Sequence, residues 1–274
     1  MGASTVLVDG RARDTIGIGD RGLAFGDGVF RTIAVRAGRP LNLRWHLRRL
    51  ASDCAALGLP VPGEALLAGE IAQVAPGDGV VKVILTRGDS TRGYAPVPGA
   101  APTRIVAGFP PVRHEASRAR DGVAVRRCSL TLSEQPRLAG VKSLNRLENV
   151  LARAEWDDVS IAEGLLGDPR GHVVEGVVSN VFVVKDQRVR TPELTRCGVI
   201  GAQRERVREL LGAAGVECSE ADIGWDELEA ADEVFLTNSL IDAWPVARLG
   251  SRTWPVGPVT RRVQAMIAQD DARD

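Results

Sequence analysis

The order in which short β-type runs and helical-period stretches follow one another restricts this chain most. Thr5-Val6-Leu7-Val8 runs into Asp9-Gly10, a turn dipeptide, and a second apolar stretch follows Gly28 through Val29, Phe30, Ile33 and Val35. Both read as strands. Leu43, Leu47, Leu50, Ala51, Cys54 and Leu57 then recur at helical spacing with arginines on the other face, and Gly58 suits the C-terminal cap of that amphipathic helix. Further strands are expected at 80–85 and 104–107, across a loop rich in Gly and Pro. Beyond Phe109-Pro110-Pro111-Val112, the densely charged stretch from Arg113 to Asp121 disfavours both helix and central strand. A strand at 123–127 follows, then a helix from about Asn145 to Trp156, strands near Gly164 and over 173–184, a helix at 201–214, a strand at 233–236 and a last helix near 259–268. This is a mixed α/β order, without the strict alternation of a doubly wound sheet. We expect an N-terminal α/β domain over 1–108, a linker over 109–121 and a larger C-terminal domain over 122–274.

Two domains suit 274 residues, 44% of them hydrophobic. Thirty-five basic residues balance thirty-five acidic ones, so no overall field draws the chain to nucleic acid or an anionic membrane, and small-molecule chemistry is the better expectation. Cys54, Cys128, Cys197 and Cys218 are far apart, with no Cys-x-x-Cys pair and no histidine cluster, which reads as reduced thiols and no metal site. No leader pattern opens the chain, and no apolar run reaches the roughly 18 residues that span a bilayer. A cytoplasmic protein is expected.

Several residues carry possible chemistry. Lys142 lies between Leu138-Ala139-Gly140-Val141 and the helix expected from Asn145, where Asn145 and Glu148 have capping-box spacing. An amine held on such a boundary, among apolar residues and beside a cation, can act as nucleophile or base, although composition alone does not separate it from a solvated surface lysine. Glu175 sits inside Val173-Val174-Glu175-Gly176-Val177-Val178. Strand alternation leaves open whether it faces solvent or is buried and needs a partner such as a protonated ring nitrogen. Gly198-Val199-Ile200-Gly201 opens a helix and Thr237-Asn238-Ser239 follows a strand. Both are places where backbone N–H groups and hydroxyls gather around phosphate, with Arg49 as a possible countercharge.

Leu138-Ala-Gly-Val-Lys142-Ser-Leu-Asn-Arg-Leu-Glu148 closely resembles the cofactor-lysine segment of aminodeoxychorismate lyases, which belong to the fold-type-IV pyridoxal-phosphate enzymes. The resemblance continues through Asp20–Phe30, His46–Leu50, Thr86–Gly88 with Arg92-Gly93-Tyr94, Val174–Phe182 and Asp232–Ser239, six blocks in the family's order. It implies a two-domain fold with pyridoxal 5'-phosphate between the domains. Lys142 would form the internal aldimine, Glu175 would pair with the pyridine nitrogen, and Arg49, the backbone N–H groups of Val199 and Ile200, and Ser239 would hold the phosphate. The implied reaction converts 4-amino-4-deoxychorismate to 4-aminobenzoate and pyruvate, with D-amino-acid or branched-chain aminotransfer as the alternative. Arg146-Leu147-Glu148 and Arg92-Gly93-Tyr94 favour the lyases. Arg92, Arg87 and Arg146 are candidates for the substrate carboxylates, and Tyr94 and Thr32 for the ring pocket. A homodimer is implied, with the 87–94 loop of one subunit reaching the other's site, as is functional coupling to aminodeoxychorismate synthase. His46 is expected to pack or hydrogen-bond rather than catalyse, and His114 and His172 read as loop residues.

Overall fold

A computed structural model describes residues 5–90, 93–97 and 99–272. The chain divides into two compact units: Met1–Arg113 together with Val141–Asn145, and His114–Gly140 together with Arg146–Asp274.

The first unit is built on a six-stranded antiparallel sheet. Its elements are β1 (Thr5–Val8), β2 (Arg11–Ala12), α1 (Arg21–Phe25), β3 (Gly28–Arg36), β4 (Arg39–Pro40), α2 (Leu43–Leu57), α3 (Glu64–Val74), β5 (Gly79–Thr86) and β6 (Thr103–Phe109). The sheet order is β2-β1-β6-β5-β3-β4. The Asp9-Gly10 turn joins β1 to β2 with positive φ at both residues, 52° and 77°, the backbone that a tight two-residue hairpin requires. β3 is the strand that matters for the site. Its period-2 pattern buries Val29, Arg31, Ile33 and Val35 on one face and leaves Phe30, Thr32 and Ala34 half-buried on the other. Ile33, Val35, Leu50, Cys54, Leu67, Ile71, Val81, Val83 and Leu85 form the core, and Val141 joins it.

The second unit carries α4 (Ala116–Asp121), β7 (Val123–Thr131), α5 (Leu147–Arg153), β8 (Ile161–Gly167), β9 (Val173–Gly176), β10 (Asn180–Lys185) and β11 (Arg188–Pro192). It continues with α6 (Ala202–Ala213), β12 (Cys218–Ala221), α7 (Trp225–Glu229), β13 (Glu233–Asn238), β14 (Asp242–Leu249), β15 (Arg252–Thr253) and α8 (Pro258–Asp271). Its nine strands run β12-β11-β10-β13-β14-β7-β8-β9, with β15 on β14. The pairs β11·β12, β14·β7 and β7·β8 are parallel and the others antiparallel, which is the mixed order expected. Among the described residues no helix is long and apolar enough to cross a membrane.

Three local expectations are corrected. The 113–121 stretch, thought unsuited to helix, forms the short α4. The run expected as one strand over 173–184 breaks between β9 and β10, where Glu163 accepts from the Val178 N–H and the Ser179 hydroxyl at 3.2 and 2.8 Å. The Asn145–Glu148 capping box does not form: α5 starts after Arg146, the Asn145 amide donates to the Gly26 carbonyl at 3.3 Å, and Glu148 accepts from the Ser133 N–H at 2.8 Å. Tertiary partners win over the local cap in both cases.

Candidate active site

In the first unit the chemistry gathers where α2, β3 and the 141–145 segment meet. The segment is tied to β3 by its backbone: the Phe30 N–H donates to the Lys142 carbonyl at 3.0 Å, and the Leu144 N–H to the Gly28 carbonyl at 2.9 Å. The Lys142 Nζ lies 4.7 Å from the centre of the Phe30 ring, within cation–π range. Thr32 falls on that same face of β3, two residues along.

Beneath the segment lies a buried ionic cluster. Asp53 on α2 is fully buried and Arg31 on β3 is 2% exposed, and the two form an ion pair. Arg49, one helical turn before Asp53, places its Nη2 3.3 Å from the other carboxylate oxygen. The backbone N–H of Lys142 also donates to Asp53, at 3.3 Å. Burial lifts the Asp53 carboxyl above its ordinary value, against the pull of Arg31 and Arg49. Burial likewise pushes Arg31 down to about 10, which leaves it protonated at neutral pH. Beside them Cys54 is raised to about 11 by burial and by Asp53, so its thiol stays neutral. His46 is 2% exposed, has no hydrogen-bond partner for either ring nitrogen, and is lowered to about 3 by burial and by the charges of Arg31 and Lys142. It is a neutral imidazole. Arg31, Arg49 and the Lys142 backbone N–H thus converge on one buried carboxylate.

In the second unit Glu175 is 3% exposed on β9, so the question left by strand alternation is answered on the buried side. Its Oε2 accepts the Val199 N–H at 2.8 Å. The Ile200 N–H donates to the Gly140 carbonyl at 3.0 Å. Both amides expected at a phosphate thus have partners within the protein. Asn180 fastens the same loop, donating to the Val199 carbonyl at 2.8 Å and accepting the Gly201 N–H at 3.1 Å. The first turn of α6 follows directly, with Gly201 as its N-cap and no side-chain cap bond. Ala202 and Gln203 there are buried, and first-turn amides have no acceptor within their own helix. Thr237 is the cross-strand neighbour of Asn180, so their side chains share one face of the sheet. Its hydroxyl is fully buried without a hydrogen-bond partner. Ser239 is half-buried in the turn that follows β13.

The remaining expected residues fare differently. Arg87 is taken up by the fold: its guanidinium grips Asp27 at 2.8 and 3.1 Å and caps α2 through the carbonyls of Leu57 and Gly58 at 2.7 and 3.2 Å. Tyr94 is 84% exposed, its ring 5.3 Å from that of Phe25 and its carbonyl held by Arg21 at 2.8 Å. Arg146 is half-buried at the N-cap of α5, and Arg92 lies outside the described residues. His114 packs edge-on against Trp244, and His172 sits 3.2 Å from Asp168.

Sequence reasoning overlooked Arg31 and Asp53. A signal existed for each: Arg31 is the one charge among the inward positions of β3, and Asp53 follows Arg49 by four residues.

The chain resembles known proteins along nearly its whole length. It is 33% identical to an aminodeoxychorismate lyase of Vibrio harveyi over 95% of this chain and 98% of that protein. It is 30% identical to a D-alanine aminotransferase of Bacillus licheniformis over 96% and 95%. The crystal structure of a 4-amino-4-deoxychorismate lyase from Pseudomonas aeruginosa superposes with a TM-score of 0.93 at 46% identity, covering 97% of this chain and 98% of that one. Residues 28–249 match the family model described as amino-transferase class IV, a span that holds Lys142, Arg49 and Glu175 alike. The chain belongs to the amino-transferase class IV family.

Proposed function

We propose that this protein is a pyridoxal-phosphate-dependent lyase that converts 4-amino-4-deoxychorismate to 4-aminobenzoate and pyruvate. The observation that carries the cofactor reading is the convergence of Arg31 and Arg49 on the buried Asp53, which also holds the backbone of Lys142. Each unit carries groups that suit a part of a phosphorylated cofactor with a ring nitrogen. Arg49 and the amides of the first turn of α6 suit a phosphate, with the unpartnered Thr237 hydroxyl and Ser239 as further donors, and the buried Glu175 suits a pyridinium. Bound there, pyridoxal phosphate supplies an aldehyde that condenses with amines and a ring that draws off electrons.

The chain's own groups do the rest. Lys142 would hold the cofactor through its Nζ and, freed as a neutral amine when substrate is bound, would take the proton from the amine-bearing carbon of the substrate ring and return it to the methylene carbon of the departing enolpyruvyl group, which leaves as pyruvate. Glu175 would hold a protonated ring nitrogen of the cofactor by charge and hydrogen bonding. Departure of that side chain makes the substrate ring aromatic, which drives the reaction. Thr32, on the Phe30 face of β3, and Tyr94 are proposed to shape the ring pocket, and Arg92 and Arg146 to meet the carboxylates. Arg87 would first have to leave Asp27 and the end of α2.

The lyase is favoured over aminotransfer because the 46% identical structure and the 33% identical relative are both named as lyases. We also propose a cytoplasmic homodimer, functionally coupled to the synthase that makes its labile substrate. The test is to supply 4-amino-4-deoxychorismate without any keto acid and measure both products. Equal amounts of 4-aminobenzoate and pyruvate, absent with Lys142→Ala, are expected. Turnover that appears only when a keto acid is added would move the assignment to an aminotransferase.

A further inference from the structure

The carboxylate of Asp53 meets three groups that arrive from three parts of the first unit. Its Oδ2 receives Arg31 from β3 and the Lys142 N–H from the 141–145 segment, and its Oδ1 receives Arg49 from its own helix. Resting on the pyridoxal-phosphate reading, we propose that Asp53 is a positioning residue that joins the anion-binding arginine to the amine-bearing segment, so that Arg49 is held ready for a phosphate at a fixed distance from Lys142. Three features support this. A single fully buried carboxylate is a rigid anchor, because its own rotamer is locked by packing. Arg31 and Arg49 repel one another, and the anion between them keeps both in place. The two oxygens also divide the work: Oδ2 serves the strand and the segment, and Oδ1 serves Arg49.

That division makes one substitution selective. Asp53→Asn keeps the shape and offers one carbonyl oxygen, which can go on serving Arg31 and the Lys142 N–H. It then turns an NH2 group toward Arg49, which has donors and no acceptor, so donor faces donor. Arg49 loses its hold on Asp53 while the Lys142 segment stays tied.

The experiment compares pyridoxal 5'-phosphate with pyridoxal, which lacks the phosphate. Dissociation constants for each are measured by visible absorbance on cofactor-free wild type and Asp53→Asn, and the attachment point is located by borohydride reduction and mass spectrometry. In the variant the preference for the phosphorylated compound should fall by about tenfold or more, the order of one charge-assisted contact, while pyridoxal still attaches at Lys142 with near wild-type affinity. An unchanged preference overturns the proposal. A larger one does so too, since it would mean that Asp53 merely competes with the phosphate as an anion. Parallel weakening of both compounds with a lowered melting temperature assigns Asp53 to stability alone and also overturns it. Should Asp53→Asn not fold, Arg31→Gln/Asp53→Asn, which withdraws one cation with the anion, is measured under the same criteria. Failure of the wild type to attach pyridoxal phosphate at Lys142 would defeat the cofactor reading itself, an outcome distinct from failure of the variant.

Discussion

Arg31 occupies a strand position that its neighbours Val29, Ile33 and Val35 mark as core, and a charge there is tolerated only because Asp53 answers it. His46 meets the opposite condition. Buried beside cations, it cannot take a proton in the native state until about pH 3, whereas an exposed imidazole does so near 6.5. Between those values the unfolded chain binds a proton that the folded chain does not. The resulting stability is fully present above pH 6.5 and drains away as the pH falls toward 3. A shift of this size amounts to a few kcal/mol, at roughly 1.4 kcal/mol per pH unit. Urea titrations of the cofactor-free protein at neutral pH and at about pH 4.5 should show a marked loss for wild type and a smaller one for His46→Gln. The resemblance proposed Lys142, Arg49 and Glu175, whereas Arg31 went unread although it breaks the apolar alternation of its strand. Asp53 could not be read as an organiser, because its role depends on a partner 89 residues away in sequence.

α2 shows why one helix can serve packing and chemistry together. Leu50 and Cys54 enter the core with Leu43, Leu47 and Leu57 against them, as the helical spacing predicted. The helix also buries Trp45, His46 and Asp53, and sequence periodicity does not separate a polar stripe facing the interior from one facing water. Leu50→Ala should cost about 2–5 kcal/mol in chemical denaturation. It should also weaken pyridoxal-phosphate binding, because Arg49 and Asp53 ride on the same helix. The loop before α6 is equally constrained. Gly198 has φ +82°, and a Cβ there would lie 2.7 Å from Val174 and 2.8 Å from Leu194. Gly198→Ala should therefore lower stability by about 2–4 kcal/mol in the same assay, from left-handed strain plus overlap. Most of the main strands and the helices at 43–57, 202–213 and 258–271 were legible from periodicity, whereas α3, β11 and the eight-residue β14 went unread. Edge strands of two to four residues and the short helices α1, α4 and α7 were not, since they are too brief to show a period and are fixed by tertiary partners.

The whole molecule presents a feature that a lone subunit does not explain. Leu147, Val150 and Leu151, three and four residues apart on α5, are 68%, 61% and 54% exposed. A helical stripe of this kind is stable when covered, and the proposed homodimer supplies a second copy to cover it. Val150→Glu should shift the protein toward monomer in analytical ultracentrifugation, and a variant that stays dimeric would move the interface elsewhere. The two-unit plan and its mixed α/β character were legible, but the exchange of Val141–Asn145 was not, because nothing in five residues announces which sheet will claim them. That exchange bears on how the protein is made. Val141 completes the core of the first unit, and Lys142 and Leu144 bond to the backbone of β3. A ribosome that has released the first 113 residues has therefore delivered a unit still missing one of its pieces, and no gene fragment that ends at the boundary encodes a first half that carries Lys142.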